Sequence, residues 1–268
     1  MIEIGEYQEI TQIKLSREIN GAPLFWVSAY LVDDILIDTG CTHTARSLLD
    51  FLDGRKISRV INTHYHEDHI GANRLLQDRR NAQVFAHEWA IPHIMNPPKL
   101  PHYREQAWGR PDGSNPVAIP NIIETERFRF DVIETPGHCQ GHIALVEPNR
   151  GWTFSGDLFI GRDLNVAGPE TNVTEMLRSM KKLLSMDWKD FVLLTSLRTI
   201  RKDGRDALSK FVAGYEGLAF KAKSLAAKGM DTKSIVNQLF GQESVFDAIT
   251  AGQYSSANLV NLLLEAEI

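Results

Sequence analysis

The sequence has few cysteines and no long apolar run. Cys41 and Cys139 are the only cysteines among 268 residues, which excludes a scaffold built on several disulfides. No apolar stretch reaches the ~18 residues that a membrane-spanning helix needs, so we expect no membrane association. The first residues are acidic and lack the basic start and apolar stretch of a signal peptide, and we therefore expect a reducing, cytoplasmic location.

An excess of positive charge is also missing. Lysine and arginine total 29 against 34 aspartates and glutamates, which gives a formal net charge of −5. This balance disfavours a protein that coats nucleic acid. With 43% hydrophobic residues, the chain can bury a sizeable core.

The apolar pattern predicts a mixed α/β body followed by helices. Predicted strands lie at 24–32, 35–37, 58–62, 82–86, 128–134, 143–146, 151–155 and 190–194, with helices at 44–52 and 176–184. After Gly204 the apolar spacing becomes helical, and Asp231 or Thr232 and Ser255 are candidate caps for the last helices. We therefore predict a catalytic domain over 1–205 and a small helical extension over 206–268.

A proline-rich stretch interrupts the body. Residues 88–120 contain seven prolines and show no clear periodicity, which predicts an irregular lid over a functional site. Tyr103, Arg104 and Trp108 are candidate substrate-binding residues there, since aromatic and guanidinium groups can hold a thioester, a glutathione-like tail or a phosphorylated compound. The alternative is that these side chains pack the lid onto the body.

The most unusual segment follows the predicted strand at 58–62. Three histidines and two acids lie between His64 and His69, and imidazole and carboxylate groups are the usual ligands of zinc and iron. His64 and His66 can point at one ion from an extended loop, while Asp68 and His69 can face a second position. Glu67 is expected to face solvent or substrate.

Two later segments add candidate ligands. His138 follows a glycine after one predicted strand, and Asp157 follows another strand. Alone, the first could be a plain turn and the second a helix cap. Their order after the histidine cluster makes the combination specific. His142 is expected to orient its neighbours or the substrate.

Together these segments resemble the metallo-β-lactamase superfamily over roughly residues 10–205. The resemblance implies an αββα sandwich with a metal site along one edge. It also implies one metal position held by His64, His66 and His138, and a second held by Asp68, His69 and the bridging Asp157. Asp38 matches a buried acid that, in this family, contacts the metal ligands rather than the metal and keeps them in position. The alternative is that Asp38 is a turn-forming residue.

The chain departs from the family at the sixth ligand. Leu197 stands where a histidine is usual, in the stretch Thr195-Ser196-Leu197-Arg198, and no histidine follows His142. We therefore expect zinc in one firm site and a weak or partly filled second site, completed by water or a hydroxyl such as that of Ser196. Iron and manganese are alternative metals.

The resemblance implies hydrolysis by a metal-activated water, with Asp68 orienting or deprotonating that water. A small ester, thioester or lactone is the expected substrate, similar to that of glyoxalase II. Nucleic acid and membranes are not expected as partners, and a homodimer stays open.

Three other functions compete with this hypothesis. One is a phosphodiesterase or ribonuclease of the same fold, which Arg104, Arg110 and Arg198 would allow. Another is an iron-bearing redox protein similar to flavodiiron proteins, disfavoured because His66 stands where those carry glutamate. The last is a weakly active, metal-poor binding protein.

Overall fold

The computed structural model describes residues 1–159, 161, 165–188, 191–197 and 199–267. The chain divides into two compact units. The first comprises Met1–Glu134, Gly141–Asp157 and Trp188–Lys202, and the second Thr135–Gln140, Leu158–Asp187 and Asp203–Ile268. The predicted boundary at 205 lies near the last crossing between units, whereas the sequence places the two earlier segments of the second unit in the body. The two-domain division therefore remains a prediction.

Nine strands precede residue 120. They are β1 (Ile2–Tyr7), β2 (Ile10–Leu15), β3 (Glu18–Ile19), β4 (Ala22–Pro23), β5 (Val27–Val32), β6 (Ile35–Ile37), β7 (Arg59–Ile61), β8 (Gln83–Ala86) and β9 (Val117–Ala118). β3 and β4 form a separate hairpin, and the other seven form one sheet in the order β1-β2-β5-β6-β7-β8-β9. Within this sheet the strands from β1 to β6 pair antiparallel, and those from β6 to β9 pair parallel.

A second sheet of the first unit follows the chain order. Its strands are β10 (Ile122–Glu124), β11 (Arg129–Glu134), β12 (Ile143–Glu147), β13 (Trp152–Gly156), β14 (Val192–Thr195) and β15 (Ile200–Arg201). Neighbours are antiparallel except for the parallel pair β13 and β14. The residues at which β13 and β14 end therefore lie side by side.

One apolar core joins the two sheets. Ile35 and Ile37 of β6 pack in it with Phe130 and Phe154 of the second sheet, while Leu36 points to the opposite face and packs in another core. Successive residues of a strand point to opposite faces, so β6 is buried on both sides. The predicted sandwich of two sheets is confirmed for this unit.

Four helices belong to the first unit: α1 (Ala45–Phe51), α2 (Asn73–Arg80), α3 (Ile91–Met95) and α4 (His102–Trp108). α1 and α2 cover the outer face of the first sheet, where Leu48 and Leu76 join the core around Leu36. A short 3₁₀ helix, Thr42–Thr44, precedes α1.

The proline-rich stretch is not irregular, contrary to the prediction. It contains α3, α4 and β9. Pro92 lies in the first turn of α3 and Pro101 is the N-cap of α4. At these positions a missing backbone N–H costs little and the fixed φ of proline suits the entry to a helix.

The second unit contains the remaining helices. They are α5 (Val173–Ser185), α6 (Gly204–Ala227), α7 (Thr232–Phe240), α8 (Val245–Ile249) and α9 (Ser256–Glu265). α6 packs against α5, α7 and α9. The predicted caps are confirmed: the side chain of Asp231 accepts a hydrogen bond from Ser234 N, and that of Ser255 from Asn258 N. No helix in the described part of the chain is long and apolar enough to cross a membrane.

The strand predictions differ from the structure at some ends. The strand predicted at 24–32 begins only at Val27, and β1 has no counterpart in the prediction. The strand predicted at 190–194 is β14, which begins at Val192; Asp190 lies outside the described residues. Both cysteines are buried, and no disulfide joins them.

The buried stripe of α9 provides a test of the packing in the second unit. Leu263 is completely buried, whereas its neighbour Leu262 is half-exposed. Leu263→Ala should lower the free energy of unfolding by about 2–5 kcal/mol, because it removes buried methyl groups and leaves a cavity. Leu262→Ala is the matched control and should cost clearly less in urea denaturation; equal losses would contradict the packing.

Candidate metal centre

Three parallel strands of the first sheet end at one edge. Asp38 follows β6, the segment Asn62–His64 follows β7, and His87 follows β8. Backbone bonds continue past the strands: Asp38 N donates to Ile61 O at 2.9 Å, and Asn62 N to Phe85 O at 2.9 Å. The carboxyl ends of parallel strands are where open α/β sheets usually carry their sites.

The second sheet meets the same edge. Ile143 N, at the start of β12, donates to Thr63 O at 2.8 Å. Asp157 follows β13 and Ser196 follows β14, and Ser196 O accepts a hydrogen bond from Ser28 N at 2.7 Å. The carboxyl ends of five strands therefore meet at this edge of the first unit.

Asp38 is the buried anchor of these loops. Its Oδ1 accepts from Thr63 N at 2.8 Å, and its Oδ2 accepts from Thr63 Oγ1 at 2.7 Å. Oδ2 also lies 2.8 Å from His69 Nδ1. The carboxylate therefore fixes the ring of His69 through one nitrogen and leaves the other nitrogen, Nε2, for a different partner.

Imidazole groups crowd beside this anchor. His64 Nε2 lies 3.0 Å from His66 Nδ1, and the ring centroids of His64 and His69 are 4.0 Å apart. Ligand atoms of His64, His66 and Asp157 all lie within 4.8 Å of one another. His64, His66 and His69 are all buried, so their ring nitrogens contact protein atoms.

The atom that best indicates a metal site is Nε2 of His69. This atom is buried and has no hydrogen-bond partner among the described residues. It lies 3.5 Å from Asp157 Oδ1 and 3.8 Å from Asp68 Oδ2. A buried nitrogen that points at two carboxylates without a hydrogen bond is suited to coordinate a divalent cation, and these donors are ones that zinc accepts.

The electrostatics of the group also favour a cation. Burial is the main cause that raises the pKa of Asp68 to about 6; the charges of Glu67 and Asp157 act in the same direction, and His69 opposes them. Burial lowers the pKa of His69, but Asp38, Asp157 and Asp68 outweigh burial and hold this pKa well above its ordinary value. Without a metal ion, protons supply the positive charge that these carboxylates need.

Two glycines permit this close packing. A Cβ on Gly156, whose φ is +49°, would lie 2.6 Å from His142 Nε2 and 2.9 Å from Thr63 Oγ1. A Cβ on Gly71 would lie 2.2 Å from the carbonyl carbon of Cys41. Side chains at either position would displace the loops that carry the candidate ligands.

His142 and Ser196 contact Asp157 from two sides. His142 Nε2 accepts a hydrogen bond from Asp157 N at 3.1 Å, the kind of contact expected of an orienting residue. The Ser196 hydroxyl contacts Asp157 Oδ1. The side chain of Leu197 is 39% exposed, so Ser196 is the residue of this stretch that reaches Asp157; Arg198 lies outside the described residues.

His138 lies on the segment Thr135–Gln140 of the second unit. Within that unit, Gly137 O accepts from Asn172 N at 2.7 Å, and Ser179 Oγ donates to Pro136 O at 2.7 Å. The start of α5 therefore holds the backbone around His138, and its role as a ligand stays a prediction.

Glu67 does not face solvent, so that one of its two predicted positions is wrong; the other, next to the substrate, stays a prediction. Glu67 is 3% exposed and forms a two-pronged ion pair with Arg104 of α4, at 2.6 Å to Nε and 2.7 Å to Nη2. The pair engages two of the guanidinium nitrogens of Arg104 with Glu67, and the substrate-binding role of Arg104 stays a prediction. The pair fastens α4 to the histidine segment.

Tyr103 and Trp108 stay candidate substrate contacts. Both are half-buried, and the ring of Trp108 lies 5.7 Å from that of Phe25. On α3, His93 stacks on Tyr65 at 4.5 Å. The segment between 88 and 120 thus packs on the body through side chains, as the alternative to substrate binding predicts, while parts of its aromatic surface remain accessible.

Comparison with known proteins identifies the family. Residues 24–193, more than half of the chain, match the model of the metallo-beta-lactamase superfamily. The chain belongs to this superfamily.

The relatives with curated names include hydrolases. A hydroxyacylglutathione hydrolase of Gloeothece citriformis is 30% identical over 222 residues, 72% of this chain and 78% of that protein. Another, from Methylobacillus flagellatus, is 31% identical over 131 residues, 47% of this chain and 43% of that protein. The chain therefore spans less than half the length of the second relative.

Solved structures share the fold. A beta-lactamase domain protein from Burkholderia ambifaria superposes with a TM-score of 0.75 at 18% identity, over 98% of this chain and 88% of that chain. A metallo-beta-lactamase family protein from Thermus thermophilus gives 0.69 at 19% identity, over 97% and 94%. The predicted fold class, including C-terminal helices, is confirmed.

The raised pKa values give a pH dependence for the metal-free protein. Asp68 has a higher pKa when folded, about 6, than its ordinary value of 3.8. Its contribution to stability is therefore complete below pH ~4 and is lost as the pH rises through about 6; His69 acts in the same direction. Through Asp68, metal-free protein should lose stability between about pH 4 and 6, and through His69 at higher pH. Urea denaturation with a chelator present measures this loss. Asp68→Asn should flatten the slope between about pH 4 and 6, and an unchanged slope there would contradict the role of Asp68.

The Glu67 and Arg104 pair gives a second prediction. Arg104→Met leaves the carboxylate of Glu67 buried and unpaired, which should cost about 3–5 kcal/mol of unfolding free energy. The matched control, Arg74→Met, breaks an exposed pair with Asp78 and should lower the free energy of unfolding far less, because solvent screens exposed ion pairs. Urea denaturation measures both losses of unfolding free energy. Similar losses would show that the buried pair stabilises the fold no more than the exposed pair does.

Proposed function

We propose that this chain is a metal-dependent hydrolase of small thioesters, with esters and lactones as related substrates. The observation that carries the proposal is the buried group of histidines and carboxylates around His69 Nε2, which has no hydrogen-bond partner among the described residues. Relatives named hydroxyacylglutathione hydrolase support the choice of substrate, since an acylated glutathione is a thioester.

We propose zinc as the metal, because its preferred ligands are those present. His64, His66 and His138 would hold one ion. Asp68 and His69 would serve a second position, with Asp157 between the two. The membership of His138 rests on the order of the motifs along the chain.

Each residue of the candidate centre has a separate role in the proposed hydrolysis. A bound divalent metal ion supplies acidification of water and polarisation of the scissile carbonyl. We assign to Asp68 the role of accepting a proton from the attacking water, because its carboxylate lies beside His69 Nε2 and Asp157 in the candidate centre. Asp38 holds the His69 ring, and Tyr103 and Trp108 of α4 are the candidates that contact the substrate.

The decisive experiment combines metal analysis with a substrate panel. His66→Ala should lose bound zinc and activity together, and Asp68→Asn should lower kcat/KM for a glutathione thioester by about 10²-fold or more. His102→Ala is the matched control, because His102 is exposed on α4 and should change neither quantity.

Other outcomes have clear meanings. Cleavage of phosphodiesters in preference to thioesters, esters and lactones would replace the proposed substrate class. Metal-loaded protein that cleaves nothing in the panel would support the binding-protein alternative. Full zinc content and full rate in His66→Ala would overturn the ligand assignment.

A further inference from the structure

Ser196 occupies a defined position beside the candidate ligands. It follows β14, which pairs in parallel with β13, and Thr195 lies opposite Gly156 in the register. The residues after these two strands, Ser196 and Asp157, are therefore neighbours although 39 positions separate them. Ser196 is 2% exposed, so its hydroxyl belongs to the interior of the centre.

The hydroxyl of Ser196 contacts the oxygen of Asp157 that also lies next to His69. Ser196 Oγ is hydrogen-bonded to Asp157 Oδ1 and lies 3.1 Å from Gly156 O. Oδ1 is also the atom 3.5 Å from Nε2 of His69. Ser196 thus holds the oxygen of Asp157 that faces the second metal position.

The backbone around Ser196 is fixed by buried bonds. Ser28 N donates to Ser196 O at 2.7 Å, and the Tyr30 hydroxyl donates to Thr195 O at 2.6 Å. Gln12 Nε2 in turn donates to Ser28 Oγ at 3.0 Å. These hydrogen bonds fix the backbone at Thr195 and Ser196, and the fixed backbone keeps the Ser196 hydroxyl beside Asp157.

We propose that Ser196 is a positioning residue that takes the place of a coordinating imidazole. Its hydroxyl holds Asp157 by a hydrogen bond, and the stretch from Ser196 onward contains no histidine to bind a second ion. One lone-pair direction of Oδ1 is then occupied, which weakens the carboxylate as a bridge between two ions. The protein therefore binds one ion firmly and a second weakly; this inference rests on the metal site of the proposed function.

The test is a zinc titration of the full chain, with cobalt absorption spectra as a second readout of ligand geometry. Ser196→Ala removes the hydrogen bond to Asp157 Oδ1, the oxygen on the side of the second metal position. The carboxylate can then bridge two ions, so the number of zinc ions retained per chain should rise from one towards two, while the firm site keeps its affinity. Ser196→Thr keeps the hydroxyl and should match the original chain in both zinc content and cobalt spectrum.

Ser58→Ala is the matched control. The Ser58 hydroxyl also bonds a carboxylate, that of Asp34, but Asp34 precedes β6 whereas the centre follows it. This variant loses the same type of bond and should bind zinc as the original chain does. Urea denaturation of every variant verifies that each is folded.

The outcomes separate the two proposals. Two firmly bound ions in the unaltered chain, or unchanged zinc content in Ser196→Ala, would overturn the role of Ser196 and leave the hydrolase proposal intact. An unaltered chain that binds neither zinc nor cobalt would overturn the proposed function and this inference with it.

Discussion

The centre depends on the buried carboxylate of Asp38. It accepts the backbone N–H and the hydroxyl of Thr63 and contacts one nitrogen of His69. Those contacts join the end of β6, the end of β7 and the far side of the histidine segment. A buried carboxylate is expensive unless its oxygens are bonded, so the loops are held in the one arrangement that satisfies it.

Two other contacts restrain the loops from outside. The ion pair of Glu67 with Arg104 connects the histidine segment to α4, and His142 supports the backbone of Asp157. The loops that carry the candidate ligands are therefore restrained both by polar contacts and by the apolar core of the sandwich. This rigidity is what places several carboxylates and imidazoles within a few ångströms of one another.

The sequence predicts the fold well and indicates which strand ends carry the candidate ligands; the ligand assignment itself stays a prediction. Strands ending just before Asp38, His64 and Asp157 are visible as apolar runs, and parallel strands bring such ends together. The contacts over long sequence distances could not be predicted. Nothing in the pattern around Glu67 indicates Arg104, 37 positions later. The helices among the prolines were hidden, because proline breaks helices in their interiors but not in their first turns.

The sequence spacing of the centre governs when it can form. Asp38, Thr63, Ile143, Asp157 and Ser196 come from segments spread over most of the first unit, and each is held by a partner far away along the chain. Contacts of this kind require large loops to close and so form late in folding. A nascent chain therefore cannot bring the candidate ligands together until β14 has been synthesised and has paired with β13. If the centre holds a metal ion as we propose, binding of that ion requires the completed sandwich.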